Sequence, residues 1–148
     1  MADAENVFIC SGHLKRGGVD VLSNELKKAV SRGARITVYS NLEDTESRAV
    51  IALKKLGVEH IVVNGFYLHT KLYFFQTGDS FSAYIGSANI TKNALTSNEE
   101  FSVLLTGKTG DDRHREIAAY AAYLDSRCRG CCAASTAKRR KAKSAMRT

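Results

Sequence analysis

In the first half of the chain, apolar residues alternate between short continuous runs and series with helical spacing. The runs are rich in strand-forming side chains and lie at Val7–Ser11, Arg35–Tyr39 and Glu59–Val63. Between them, apolar residues recur at steps of three and four, which indicates two amphipathic helices. The first helix is expected to end at Gly33, and the second to begin after Thr45 as its N-cap and to end at Gly57. This β-α-β-α-β pattern predicts parallel strands joined by right-handed crossovers.

The second half has a different pattern. Strand-like runs at Lys71–Gln76 and Ser82–Ser87 are joined by Thr77-Gly-Asp-Ser, a hairpin signal, and a further run lies at Glu100–Thr106. Helical spacing then returns over Arg113–Cys128. The whole pattern predicts an α/β fold, with a mixed β-sheet flanked by helices on both faces.

The charge of the chain is unevenly placed. Of the 22 basic residues, eight follow Asp125 and no acidic residue does, which leaves 14 basic and 15 acidic residues in the first 125. The folded part is therefore nearly neutral, and the net charge of +7 belongs to the C-terminal tail. Because that tail also has little to bury, we expect one folded domain over residues 1–128 and a basic, disordered tail over 129–148.

No apolar run approaches the ~20 residues that a membrane-spanning helix needs, and the acidic N-terminus shows no secretory signal. We therefore expect no membrane insertion and a cytoplasmic location. The basic tail adds nuclear import as an alternative for a eukaryotic protein.

Polar residues with catalytic potential are expected at the ends of three consecutive strands. They form the stretches His69-Thr-Lys71, Gly86-Ser87-Ala-Asn89 and Asn98-Glu-Glu100. Residues two apart on a strand share a face, so His69 and Lys71 are expected to project together, and the hairpin returns the chain to the same end of the sheet. A neutral imidazole can attack phosphorus, while an ammonium and an amide stabilise charge on phosphate oxygens, and none of this requires a metal ion. A carboxylate at Glu100 could orient the imidazole.

These stretches resemble the HxK…GSxN…NxE signature of the phospholipase D superfamily, and their flanking residues are more similar to its compact nuclease branch than to its lipases. The resemblance covers the chain from Val7 to about Leu124. It implies that His69 is a nucleophile that forms a phosphohistidine, and that Glu100 orients it. It also implies that phosphate oxygens are bound by Lys71, Ser87 and Asn89.

The family uses two such motifs per active site, and this chain has one. The resemblance therefore implies a homodimer in which the second copy of His69 protonates the leaving oxygen, with no cofactor. One position departs from the family pattern: the frequent Asp five residues after the Lys is Gln76 here, and nearby Asp79 has the spacing of a turn residue. Glu100, rather than Glu99, fits the family spacing.

Two basic segments are further candidates for nucleic-acid contacts. The loop Ser11–Gly18 lacks the spacing of a phosphate-binding P-loop, so it is interpreted first as a turn and second as a phosphate contact through His13, Lys15 and Arg16. The tail segment has three interpretations, a nuclear localisation signal, a nucleic-acid arm or a solvated tail; its basic residues are Lys138, Arg139, Arg140 and Lys141.

A zinc site is not expected. Cys128, Cys131 and Cys132 form one ligand group, whereas structural zinc sites usually combine two paired-ligand elements, and His114 lies about 14 residues upstream within a helix.

Three functions are compatible with these observations. The leading hypothesis is a metal-independent nuclease that cleaves DNA or RNA. The alternatives are a phospholipase D-type lipid hydrolase or transferase, and a nucleic-acid-binding module that does not cleave.

Overall fold

A mixed β-sheet forms the centre of the protein. The computed structural model describes the backbone of residues 3–145 and the side chains of residues 3–129. Its elements in chain order are β1 (Asn6–Cys10), α1 (Arg16–Ser31), β2 (Arg35–Asn41), α2 (Ser47–Lys55), β3 (Glu59–Val63), β4 (Leu72–Thr77), β5 (Ser80–Gly86), α3 (Lys92–Thr96), β6 (Ser102–Lys108) and α4 (Asp112–Ala145). In this described part the strand order is β3-β2-β1-β4-β5-β6. Strands β1 to β3 pair in parallel and β4 and β5 form an antiparallel hairpin, as predicted. Strand β4 also pairs antiparallel with β1, and β6 pairs antiparallel with β5.

Helices cover both faces of the sheet. Successive strand residues point to opposite sides, so each strand contributes apolar side chains to both faces. Val7 and Ile9 of β1 join a buried cluster with Val19 and Leu26 of α1 and Leu53 of α2. On the other face, Cys10 joins a second cluster that contains Phe74, Phe81 and, from α4, Ile117 and Leu124. The predicted fold class is confirmed. Among the described residues, no helix combines the length and the apolar character that crossing a membrane requires.

Most element ends lie where the sequence places them, with two exceptions near the site. Gly33 and Gly57 follow α1 and α2 with φ of 88° and 78°, as C′ glycines do. Thr45, however, does not cap α2. Its hydroxyl donates to the carbonyl of Asn41 over 2.5 Å, and Glu46 is the N-cap residue. The short helix α3 was not predicted, although Thr91 caps it by accepting a hydrogen bond from the Ala94 N–H.

The last helix is longer than its apolar pattern indicates. Its backbone is helical to Ala145, whereas the pattern ends the helix at Cys128 and predicts disorder in the tail. Ala, Lys and Arg are good helix formers, and the tail contains no proline to interrupt the ladder. The domain boundary between residues 128 and 129 stays a prediction.

The fold brings five chain segments to one end of the sheet. Cys10, at the end of β1, is paired with Leu72, at the start of antiparallel β4, and Leu72 is paired in turn with Ile85 near the end of β5. Gly86 is then paired with Ser102 at the start of β6. The loops after β1, β2 and β5 therefore meet the segments that precede β4 and β6.

Two adjacent glycines in α1 provide a matched test of how tightly this end is packed. A Cβ at Gly18 would lie 2.3 Å from the carbonyl carbon of Ile90, a backbone atom just after the site residue Asn89. A Cβ at Gly17 would meet only the Lys92 side chain, at 3.2 Å. We expect Gly18→Ala to lower the free energy of unfolding by roughly 2–3 kcal/mol. Gly17→Ala should stay within about 1 kcal/mol of wild type, because the gain in helix propensity offsets the contact. Urea denaturation checks both, and equal effects would contradict the contact.

Candidate active site

His69 lies in the segment that leads into β4, and the buried side chain of Asn41 holds that segment in place. The Asn41 amide nitrogen donates to the carbonyls of Gly12 and Leu68 over 3.1 and 2.9 Å, and its oxygen accepts from the Leu68 N–H over 2.7 Å. The side chain of His69 itself is exposed. Within residues 3–129 its imidazole makes no hydrogen bond, so the ring is accessible to a substrate.

Lys71 directly precedes β4, which begins at Leu72, one residue later than the sequence pattern predicts. Lys71 is buried, with 9% of its surface exposed, and its ammonium donates to the backbone carbonyl of His69 over 2.8 Å. An ammonium has three N–H groups, so this bond still leaves donors for a phosphate oxygen. The lysine thus fixes the backbone of His69 and places a positive charge beneath it.

Asn89 follows β5 and is oriented by the loop after β1. Its side-chain oxygen accepts from the His13 backbone N–H over 3.2 Å and lies 3.4 Å from the Ser11 hydroxyl. Ser11 is buried, and its oxygen accepts from the Ile90 N–H over 2.8 Å. Because the amide oxygen of Asn89 is held by the loop, the NH2 group is turned to the opposite side. This arrangement presents Asn89 as a hydrogen-bond donor.

Ser87 and Glu100 contact one another directly. The Ser87 hydroxyl donates to a Glu100 carboxylate oxygen and accepts from the Phe101 N–H over 3.1 Å. The other carboxylate oxygen accepts from the Asn98 amide over 3.3 Å. In a single chain, Glu100 therefore contacts Ser87 and Asn98 rather than the imidazole of His69.

Gly86, the glycine of the second motif stretch, has a structural role in the sheet. A Cβ at Gly86 would lie 2.2 Å from the Phe101 carbonyl and 2.7 Å from the Ser102 Cα. The close approach that glycine permits here is between β5 and β6, and it allows the contact between Ser87 and Glu100.

Tyr73 of β4 supports the loop that carries Asn89. Its hydroxyl donates to the Ala88 carbonyl over 3.0 Å. Burial raises the pKa of the Tyr73 phenol, and the Glu100 carboxylate raises it further. The phenol therefore stays protonated and remains a donor at any physiological pH.

Tyr67, Asp44 and His13 form a polar cluster beside His69. The Tyr67 hydroxyl donates to Asp44 over 2.9 Å and lies 3.5 Å from the His13 imidazole, which is 3.6 Å from Asp44. Sequence reasoning missed Asn41, Asp44 and Tyr67. The available signal was weak. Asn41 ends β2 and Asp44 lies in the loop after it, and polar residues are common at such positions.

The three basic-loop candidates have different surroundings. His13 belongs to the cluster just described. Lys15 is the N-cap residue of α1, with its N–H bonded to the Ile90 carbonyl over 3.0 Å. Arg16 pairs with Asp20 over 2.8 Å, and its backbone N–H donates to Glu46 over 2.8 Å. Residues 11–15 connect β1 to α1 and position Asn89, whereas Arg16, Gly17 and Gly18 already belong to α1. The phosphate contact stays a prediction. The side chains of Lys138, Arg139, Arg140 and Lys141 lie outside the described residues.

Among the described side chains, no group of three or more His, Cys, Asp and Glu residues could hold a metal ion. His114 packs instead against the rings of Phe74 and Phe81, with centroids 5.9 and 5.6 Å away. Cys128 is buried at the same face of the sheet, and Cys131 and Cys132 lie outside the described side chains.

Comparisons with known proteins agree with this geometry. The family described as the NgoFVII restriction endonuclease N-terminal PLD domain matches residues 1–126. A comparison with curated protein sequences gives no match. The crystal structure of polyphosphate kinase from Porphyromonas gingivalis is similar in fold, with a TM-score of 0.58 and 16% identity. That similarity covers 84% of this chain and 22% of the kinase chain. The resemblance to the phospholipase D superfamily is confirmed.

The buried amide of Asn41 yields a pH-dependent prediction. Asn41→Asp keeps the acceptor for the Leu68 N–H but points a second oxygen at two carbonyls, so burial and these dipoles raise the pKa of the new carboxyl above its unfolded value of about 3.9. Because the folded pKa is raised, the variant loses stability relative to wild type as the pH rises. The loss should be about 3 kcal/mol or more at pH 8 and smaller at pH 4. Urea unfolding at both pH values checks this.

The control for that measurement is Asn64→Asp, at an exposed position directly after β3. It should unfold like wild type at both pH values. An equal loss for Asn41→Asp at pH 4 and pH 8 would contradict the role given to the amide donor.

Proposed function

The chain belongs to the family of the NgoFVII restriction endonuclease N-terminal PLD domain, and on that basis we propose that it is a metal-independent nuclease that cleaves DNA or RNA through His69. One observation carries the proposal. The segments before β4 and after β5 place an exposed imidazole, a buried ammonium and an oriented amide at one end of the sheet. These groups are a nucleophile and two donors for phosphate oxygens.

The proposed reaction has two steps. An imidazole nitrogen of His69 forms a bond to phosphorus while the bond from phosphorus to the leaving oxygen breaks, and the His69 of a second copy donates a proton to that oxygen. Water then forms a new oxygen–phosphorus bond as the phosphohistidine bond breaks, and the second imidazole takes up the water proton. Lys71 and Asn89 donate to the phosphate oxygens throughout, and Ser87 supports them. When two copies of the chain form the complete site, Glu100 orients the histidine.

The need for two imidazoles is the chemical reason for a homodimer. One histidine cannot be bonded to phosphorus and protonate the leaving group at the same time. A single copy of the chain supplies one His69, so the site is incomplete without a second copy.

An exposed apolar surface beside the site supports this dimer. It consists of Phe101 and of Ile85 and Val103, which are paired across β5 and β6 and so share one face of the sheet; the exposed Tyr84 and Leu104 are likewise paired and lie on the opposite face. Phe101, which is 76% exposed, follows Glu100 directly.

The test of the nuclease is cleavage in EDTA. We expect labelled single- and double-stranded DNA and RNA to reveal a substrate that wild type cleaves without a metal ion. His69→Ala should lower the rate by about 10³-fold or more, because it removes the covalent nucleophile. Internally labelled substrate should leave an acid-labile label on wild type and none on His69→Ala.

The matched control is His114→Ala, which removes an imidazole that packs on Phe74 and Phe81. It should keep its activity. Equal cleavage by His69→Ala would refute the proposal. Salt-dependent binding without any product would support the non-cleaving module instead, and release of a lipid headgroup from vesicles would support the lipid hydrolase.

A second experiment tests the shared site. Val103→Glu places a charge in the proposed interface, whereas Ile51→Glu places one at a comparably exposed position on α2. Light scattering should find a dimer for wild type and Ile51→Glu, and a monomer for Val103→Glu. An excess of the His69→Ala chain should inhibit wild type, because the mixed dimers contain only one His69 imidazole. The double variant His69→Ala/Val103→Glu should not inhibit wild type, because it does not form dimers. A fully active monomeric wild type would refute the shared site.

A further inference from the structure

Tyr67 is an exposed aromatic residue directly beside the proposed nucleophile. Its ring centroid lies 6.1 Å from that of His69, with 31° between the planes. The side chain is 55% exposed although it lies at the site. The ring therefore offers an accessible aromatic face beside the imidazole.

The ring is held in place by its hydroxyl. Asp44 accepts its hydrogen bond, and this bond is the main reason why the pKa of the Tyr67 phenol is raised. Asp44 also lies within 3.6 Å of the His13 imidazole, so the cluster links the loops after β1 and β2 to the segment before β4. A ring fixed in this way loses little conformational entropy when a ligand stacks on it.

Next to the ring is a cavity of about 390 Å³. Tyr67, Phe66 and the exposed Leu42 give it an apolar lining, while Glu43 and Asn64 contribute a carboxylate and an amide. The volume lies within the range of about 300–1,000 Å³ that is usual for small-ligand sites. The Arg127 guanidinium covers the Phe66 ring at 3.9 Å, which leaves Tyr67 as the more open aromatic surface.

We propose that this cavity is a nucleobase site, in which Tyr67 stacks on the base next to the phosphate held at His69. The lining matches a base better than a phosphate, because its apolar and aromatic side chains suit a ring, whereas the Glu43 carboxylate would repel an anion. A base is joined to its phosphate by one sugar, so the base that flanks the scissile phosphate must lie close to the imidazole. This inference rests on the proposed nuclease function.

The site restricts the form of the substrate. In a duplex both faces of a base are covered by its neighbours, so only an unpaired or flipped-out base can stack on Tyr67. We therefore infer that the substrate is single-stranded where it is cleaved, or is unpaired there on binding.

The experiment compares a thymidine oligonucleotide with an oligonucleotide of the same length made wholly of abasic residues. Tyr67→Ala should lower kcat/KM for the thymidine oligonucleotide by about 5- to 100-fold, the usual effect of losing one base–aromatic stack. Tyr67→Phe keeps the ring and should stay within about 3-fold of wild type. Neither substitution should change cleavage of the abasic oligonucleotide by more than about 3-fold, since no base is present to stack.

An equal loss on both oligonucleotides would show that Tyr67 positions His69 and would overturn the base site. No loss on either oligonucleotide would also overturn it. Binding separates this proposal from the nuclease itself. In a His69→Ala background, fluorescence anisotropy should show that Tyr67→Ala weakens binding of the thymidine oligonucleotide and not of the abasic one. If wild type cleaves neither oligonucleotide, but Tyr67→Ala still weakens binding of the thymidine oligonucleotide alone, the nuclease proposal is refuted and the base site is supported.

Discussion

The side chain of Asn41 is the interaction on which the arrangement of the site depends. The loops after β1 and before β4 are distant in sequence, and their peptide groups are buried at the end of the sheet, where strand pairing no longer satisfies them. One amide offers both a donor and an acceptor, so it can bond to Gly12 on one loop and to both polar groups of Leu68 on the other. It does so without adding a charge beside the proposed phosphate site. A carboxylate or an ammonium in its place would leave one kind of partner unpaired.

The remaining site residues are held by a second set of contacts, between β5 and β6. Gly86 allows the two strands to approach closely, and the backbone of Phe101 pairs with Ser87 in both directions, by N–H to hydroxyl and by carbonyl to N–H. Two separate sets of contacts therefore hold the site residues, one around His69 and one around Ser87 and Glu100. Lys71 joins them, since its carbonyl accepts the Gly86 N–H at the start of β4.

The sequence was most informative where local periodicity and strand order determine the outcome. Alternating and helical spacing predicted the strands and the long helices, and the three motif stretches were correctly assigned to one end of the sheet. It was least informative where the outcome depends on how loops pack. The burial of Lys71 and the anchoring of Tyr67 by Asp44 follow from contacts between segments far apart in sequence. Thr45 shows the same limit, because a good capping residue is used to bond Asn41 of the preceding strand instead.

The turn between β4 and β5 has a consequence for how such a domain can be extended. Thr77 and Ser80 close the hairpin at the end of the strands opposite the site, and residues 77–80 are all exposed. Sequence inserted at Gly78–Asp79 would leave the pairing of both strands intact and would not approach His69 or Asn89. The candidate site residues and the position that tolerates inserted sequence therefore lie at opposite ends of the hairpin. A recognition loop, a fused domain or a fluorescent reporter could be carried there without disturbing the proposed phosphate site.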